Sequence, residues 1–241
     1  MHPILFEFFG IRIYSFGAMT AIGFVVAVLW LMNANRRKGF HPESLLDLAF
    51  GLFVSGLIGA RLFFVLLNLD WYQTYPLEIF QLQKGGLVAY GGFFLAVVFA
   101  IVFTRLKSIP FWEAVDLVAP AWILGLAFGR IGCFLNGCCY GKPSGSFLAR
   151  LFSGSGEAIH PTQLYESAGL FLLFLGLTVA DRRSLKNGRL FSLALLGYAT
   201  LRFVIEFFRG DQIPIFLNLT LVQWMGLASL LIAVLIWRLR R

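Results

Sequence analysis

Seven apolar stretches follow one another along the chain, each close to the roughly 20 residues a helix needs to cross a bilayer. They fall at about 12–34, 45–67, 86–104, 112–135, 161–180, 190–208 and 218–237. The pattern predicts an all-α polytopic membrane protein, a single membrane domain over residues 1–241 with seven transmembrane helices. The longest polar interval, 137–160, reads as a short external loop segment between spans four and five. Its Phe147–Phe152 stretch is the candidate for a short amphipathic element on the membrane surface. Gly51, Gly56, Gly59, Gly125, Gly129 and Gly132 form small-residue faces that let helices approach closely. Gly85-Gly86 and Gly91-Gly92 bracket a Leu-Val-Ala-Tyr segment and predict irregular backbone, tolerated at membrane depth only beside a cavity. Tyr90 is then a candidate cavity-lining group.

Composition agrees with the pattern. Of the 241 residues 59% are hydrophobic and 13% charged, against about 25% charged in ordinary soluble domains, and mean hydropathy is +0.81. Twelve of the 20 Lys and Arg residues fall on one side if the seven spans alternate: Arg36, Arg37, Lys38, Arg105, Lys107, Arg182, Arg183, Lys186, Arg189, Arg238, Arg240 and Arg241. The positive-inside rule makes that side cytoplasmic, with the N-terminus external and the C-terminus cytoplasmic. The net charge of +8 is mostly this bias, and nothing resembles a nucleic-acid-binding face. The opening residues lack a basic segment and a cleavage site, so the first span is expected to be retained. Cys133, Cys138 and Cys139 lie in one short segment that matches neither a disulfide framework nor a familiar zinc spacing. They read as small side chains in a tight turn, and neither metal nor cofactor is expected.

Candidate chemistry comes from three arginines inside spans. Arg61, Arg130 and Arg202 sit about 16, 18 and 12 residues beyond the cytoplasmic starts of spans two, four and six, or roughly 18–27 Å along helices rising 1.5 Å per residue. All three therefore reach the outer half of the bilayer. A charge near the bilayer centre costs roughly 2.5–3.5 kcal/mol even on lenient insertion scales. Glu166 and Glu206 are the candidate counter-charges, which leaves surplus positive charge and suggests an anionic ligand such as a phospholipid head group. Tyr198, Arg202, Glu206 and Arg209 recur at spacings that stack them on one helix face. Glu206 reads equally as proton acceptor or as the partner that orients Arg202. Arg61 reads either as a ligand or as a structural arginine neutralised by Glu166 or by helix-end carbonyls. Tyr14, Tyr90 and Tyr140 suit an interfacial belt as well as a site. His160 reads as a helix-start residue, and Arg209 as a group meeting lipid phosphates.

These blocks resemble the signature regions of prolipoprotein diacylglyceryl transferases. The likeness rests on GRIGCFLNGCCYGKP around Arg130, HPTQLYE at Glu166, GYATLRFVIEFFRGD around Arg202, Tyr14, the GAR block at Arg61 and the GG-x4-GG segment around Tyr90. It runs in order along essentially the whole chain. The resemblance implies a bacterial inner-membrane transferase with a central lipid-binding cavity and an active site toward the outer leaflet. Its expected substrates are phosphatidylglycerol and a prolipoprotein signal peptide carrying a lipobox. The diacylglyceryl group would pass to the lipobox cysteine thiol, releasing glycerol 1-phosphate.

Carried over by position, the resemblance implies Arg130 and Arg202 as catalytic and Glu206 as a functional position, while Tyr90 is a further catalytic candidate from this chain's own residues, as a hydrogen-bonding alternative. The substrate-binding candidates are Arg130, Arg202, Tyr14, Tyr198 and Gly141 from the resemblance, with Arg61, Asn136 and Glu166 added from the residues themselves. Three positions depart from the family pattern: Tyr90 stands where a histidine is usual, Cys133 where asparagine is, and Cys138 where glutamate is. A histidine-base mechanism therefore does not carry over. The alternatives are a paralogue acting on another acceptor and a non-enzymatic lipid or anion transporter.

Overall fold

A computed structural model describes residues 3–8, 11–81, 85–152, 158–183 and 185–240. Arg241 and residues 153–157 of the external segment, both used above, lie outside the described residues. The chain divides into two compact units, Met1–Asn33 with Asp116–Arg241, and Ala34–Val115.

The first unit opens with an antiparallel hairpin, β1 (Ile4–Phe8) and β2 (Ile11–Tyr14), that leads into helix α1 (Ser15–Asn35). Sequence patterning started the first span at about 12, whereas residues 11–14 are strand. Helix α5 (Phe111–Asn136) belongs to this unit from Asp116 onward. Then come the short α6 (Phe147–Phe152), α7 (Thr162–Asp181) and α8 (Arg189–Glu206). A second hairpin, β3 (Pro214–Phe216) and β4 (Leu219–Thr220), feeds α9 (Leu221–Leu239). Leu217 and Asn218 both take positive φ, the signature of a two-residue hairpin turn.

The core of this unit is a seam of small and branched residues. Ala119, Ile123 and Ala127 recur every fourth residue on α5 and pack with Leu170 and Leu177 of α7 and Leu190 and Ala194 of α8. Asp116, buried at the foot of α5, accepts from the backbone N–H groups of Gly188 (2.6 Å) and Phe191 (2.7 Å). It thereby supplies from another helix the carboxylate that a helix N-terminus favours.

The second unit contains α2 (Pro42–Leu67), α3 (Leu69–Thr74), a single 3-10 turn (Pro76–Phe80) and α4 (Ala89–Leu106). Helices α2 and α4 meet backbone to backbone through glycines. A Cβ at Gly59 would strike the Gly91 carbonyl, and one at Gly92 would lie 2.7 Å from the Gly56 carbonyl. Gly91-Gly92 thus serves close helix packing, and only Gly85-Gly86 has the irregular backbone expected of both pairs, with φ of +79° and +80°.

Among the described residues six helices, α1, α2, α4, α5, α7 and α9, are long and apolar enough to cross a membrane. The expected span at 190–208 is the helix α8, but Arg189, Arg202 and Glu206 make it too charged to qualify by composition. Leu29, Phe50, Leu172 and Leu231 are among many large apolar side chains left exposed, as a lipid-facing surface requires. The chain is an all-helical polytopic membrane protein.

Candidate active site

The polar stripe on α8 meets carboxylates from three directions inside the first unit. Arg130, near the end of α5, places Nη2 at 3.0 Å from Glu166 Oε1 on α7. Arg202 Nη1 donates to Glu166 Oε2 at 3.5 Å, and its Nη2 lies 2.9 Å from Glu206 Oε2. Beyond α8, Arg209 Nε is 4.0 Å from Glu206 Oε2. Arg209 also grips Asp211 bidentately, Nε to Oδ1 at 2.8 Å and Nη2 to Oδ2 at 2.5 Å. The result is an alternating string, Arg130–Glu166–Arg202–Glu206–Arg209–Asp211.

Each interior member of that string touches an opposite charge on both sides, while Arg130 touches one. Arg130 is also the most open of the three guanidinium groups, with 20% of its side chain exposed against 10% for Arg202 and 7% for Arg209. Its Glu166 contact is close but not aligned as a hydrogen bond, since Glu166 Oε1 has no hydrogen-bond partner among the described residues. The Tyr198 phenol, on the same face of α8 as Arg202, lies within electrostatic reach of Arg130, Arg202 and Glu166.

The expectation of surplus positive charge needs correction. Of the three arginines counted, Arg130 and Arg202 face both counted carboxylates, Glu166 and Glu206, and Arg209, a third cation joined to them, is matched by Asp211 two residues on. Burial pushes the Asp211 carboxyl up, but Arg209 outweighs it and holds the group below the usual carboxylate range. Burial likewise works against the Arg209 charge, and Asp211 more than offsets it, so the guanidinium is held above its ordinary value. Arg209, read from sequence as a residue meeting lipid phosphates, is buried instead.

Glu206 lies against Arg202 and Arg209 through Oε2, and its Oε1 accepts from the Thr220 hydroxyl at 2.8 Å. Of its two sequence-based roles, the geometry supports orienting Arg202. Thr220 is simultaneously the N-cap of α9, accepting from Gln223 N–H while the Gln223 side chain accepts from Thr220 N–H. Asp211, Thr220 and Gln223 were missed in the sequence. The Thr-x-x-Gln pattern ahead of the last span is a capping-box signal that could have located two of them.

Other predicted residues take other places. Gly141 packs between strand-like segments: an added Cβ would meet His160 Cβ at 2.5 Å and the His160 and Phe208 carbonyls at 2.7 Å each. Its requirement is for backbone closeness, which explains the glycine without a substrate contact. Asn136, the last residue of α5, is exposed, and so is Tyr14 at the end of β2, where it pairs with Ile4. His160 hydrogen-bonds Tyr165 Oη through Nδ1 at 3.2 Å at the start of α7.

Arg61 and Tyr90 belong to the second unit. Arg61 Nε donates to Ile79 O at 2.9 Å, Nη1 to Gly85 O and Gly86 O at 2.7 and 3.0 Å, and Nη2 to Glu78 O at 2.6 Å. The guanidinium also lies over the rings of Phe64 and Tyr72. These bonds support the structural reading, in which loop carbonyls occupy the arginine and fix the left-handed glycine pair. Glu166, the other partner considered for Arg61, is engaged by Arg130 and Arg202. Tyr90 is half-buried at the start of α4.

The cysteines converge. Gly137 and Cys139 take φ of +75° and +64°, which turns the chain back so that all three Sγ atoms lie within 4.8 Å of one another. None is disulfide-bonded.

The whole chain matches known proteins. The family model described as Prolipoprotein diacylglyceryl transferase matches residues 3–239. A phosphatidylglycerol–prolipoprotein diacylglyceryl transferase of Clostridium tetani is 33% identical over 246 residues, covering 100% of this chain and 98% of its own length. One of Symbiobacterium thermophilum is 35% identical, covering 99% of this chain and 91% of its own. One of Bacillus velezensis is 29% identical, with 100% and 93% covered.

Proposed function

The chain belongs to the prolipoprotein diacylglyceryl transferase family, and from that premise we propose that the charge string ending at Arg130 is where it works. The protein is a membrane transferase of lipoprotein maturation. It moves the diacylglyceryl group of phosphatidylglycerol to the lipobox cysteine thiol of a prolipoprotein and releases glycerol 1-phosphate. We assign it seven spans in a bacterial inner membrane, α8 being the charged one. The distribution of Lys and Arg supports an external N-terminus, a cytoplasmic C-terminus and a site at the outer leaflet.

In the reaction the thiol sulfur attacks C3 of the lipid's glycerol. A carbon–sulfur bond forms, the carbon–oxygen bond to phosphate breaks, and the electron pair leaves on the phosphate oxygen. The thiol proton passes to solvent, directly or through the departing phosphate. Negative charge thus grows on the phosphate as the barrier is crossed, and preorganised donors act most strongly where charge develops. Arg130 offers a planar fork suited to two phosphate oxygens. Glu166 and Arg202 hold it, and Tyr198 supplies a neighbouring hydroxyl.

The observation that carries this reading is the position of Arg130, the terminal cation of an otherwise paired string. Purified protein given phosphatidylglycerol and a lipobox peptide should form the diacylglyceryl thioether. Arg130→Ala and Arg202→Ala should abolish it while leaving the fold intact by circular dichroism. Normal turnover by both variants would overturn the assignment, and counterflow of lipid without any covalent product would favour the transporter.

A further inference from the structure

We propose that Cys133, Cys138 and Cys139 form a three-thiolate site for a soft d10 divalent ion of the zinc class, with its fourth position open to an incoming thiol. The second clause rests on the transfer reaction proposed above; the first does not.

The geometry is that of a built site. A tetrahedral ion with sulfur ligands at about 2.3 Å sets them about 3.8 Å apart. The three Sγ atoms already lie within 4.8 Å of one another, so each pair needs to close by at most about 1 Å. A disulfide would demand a much shorter approach, about 2 Å, and would leave one thiol over. Packing alone is a poor account, because small side chains filling a tight turn should be buried, whereas only Cys133 is, and Cys138 and Cys139 are half-exposed. The turn itself is costly. Cys139 is a non-glycine residue in the left-handed region, a conformation of order 1 kcal/mol or more that persists where surroundings over-determine it.

Those surroundings can be named. Thr162 Oγ1 donates to Cys139 O at 2.8 Å and Gln163 Nε2 to Cys138 O at 2.6 Å. Cys138 N–H is bonded to Cys133 O at 3.2 Å. Gln163 is buried, and its Oε1 has no partner among the described residues, an acceptor open to a bound group.

The same three chain segments hold the charge string. Cys133 is one helical turn from Arg130 on α5, and Thr162 and Gln163 precede Glu166 on α7. Lys142 N–H bonds Phe208 O and Gly210 N–H bonds Tyr140 O, tying the cysteine turn to Arg209. The sulfurs and the proposed phosphate grip therefore share one scaffold.

Among the described residues no His, Asp or Glu joins the group. Three protein ligands with one open position is the pattern of catalytic rather than structural zinc. A thiol arriving there would bind as thiolate, releasing its proton to solvent, and metal-bound thiolate attacks carbon without a dedicated base. That is the function left open by Tyr90, which stands where the family usually has a histidine.

The test uses the full-length protein, reduced and in detergent, titrated with Co2+ under anaerobic conditions. A thiolate-to-metal charge-transfer band saturating at one ion per chain is expected. Cys133→Ser, Cys138→Ser and Cys139→Ser should each weaken binding by more than the roughly 10–100-fold that loss of an outer-shell partner costs. Lipobox peptide should intensify the band and its serine counterpart should not. Absence of the band, its survival in Cys139→Ser, or a disulfide that yields no metal binding once reduced would overturn the site. A band indifferent to the cysteine peptide would overturn the open-position role. Arg130→Ala separates the two proposals, since it should keep the Co2+ band and lose transfer.

Discussion

Glu166→Gln isolates charge, because glutamine nearly matches glutamate in shape. Glu166 is 2% exposed and bridges Arg130 and Arg202. After the substitution Arg202 keeps Glu206 at 2.9 Å, but Arg130 loses its close carboxylate and the string changes from balanced to one positive charge in excess. Removing one partner of a buried pair costs about 3–5 kcal/mol. The partial exposure of Arg130 and the remaining glutamine carbonyl reduce this to about 2 kcal/mol of lost stability. A bound phosphate should respond in the opposite sense. One unit of extra positive charge about 6 Å away, at an effective dielectric of about 20, attracts a unit negative charge by about 3 kcal/mol. Glycerol 1-phosphate should then bind about 100-fold more tightly to a variant that melts at lower temperature. Isothermal titration with glycerol 1-phosphate and tryptophan-detected thermal unfolding, both in detergent, measure the two effects. Weaker or unchanged phosphate affinity in a folded Glu166→Gln protein refutes the idea that these arginines grip phosphate, and would return Glu166 to direct contact with substrate.

Three further substitutions probe the supports. Thr220→Val removes the α9 cap, typically about 1 kcal/mol, and strips a donor from buried Glu206 at about 1–3 kcal/mol. A loss of about 2–4 kcal/mol in denaturant unfolding is expected, largely restored by serine. Gly141→Ala forces a methyl between the His160 and Phe208 carbonyls at about 1–3 kcal/mol. Hydrogen exchange at Lys142 and His160 should accelerate, and unchanged protection would show that the backbone has room. Asp211→Asn tests the depressed carboxyl. A group whose folded pKa is lowered contributes stability that is present above its unfolded value of about 3.9 and lost as pH falls through the folded value. Wild type should therefore exceed the variant by a constant margin at neutral pH, with the two converging only at strongly acid pH; a margin that persists there would refute ionic pairing with Arg209.

What could be read in advance depended on the range over which each contact is determined. A spanning helix is a local property of about 20 apolar residues, so Pro42–Leu67 and Phe111–Asn136 were visible as runs. The i, i+4 pairing of Arg202 with Glu206 was visible for the same reason. The hairpin at residues 214–220 was not, since strands of three and two residues carry almost no periodic signal. With it went Thr220, which the turn at Leu217 and Asn218 returns to Glu206. The cysteines failed differently. Their spacing matches no metal motif, and their convergence depends on two left-handed residues, of which Gly137 is announced by its residue type and Cys139 is not.

Charge balance, not charge excess, is the more useful design for a phosphate site inside a membrane. Uncompensated guanidinium groups would carry the insertion cost at all times, whether or not lipid is bound. In the alternating string each buried cation is matched, and Glu206 and Asp211 lie beyond the reach of Arg130. What distinguishes Arg130 is having one carboxylate neighbour instead of two, with more of its side chain exposed than that of Arg202 or Arg209. Such an arrangement binds a phosphodiester modestly and a phosphate gaining a second charge more strongly. That difference, and not tight binding of the lipid, is what lowers a barrier. It follows that loss of the fork with charge retained, as in Arg130→Lys, should reduce turnover far more than lipid affinity.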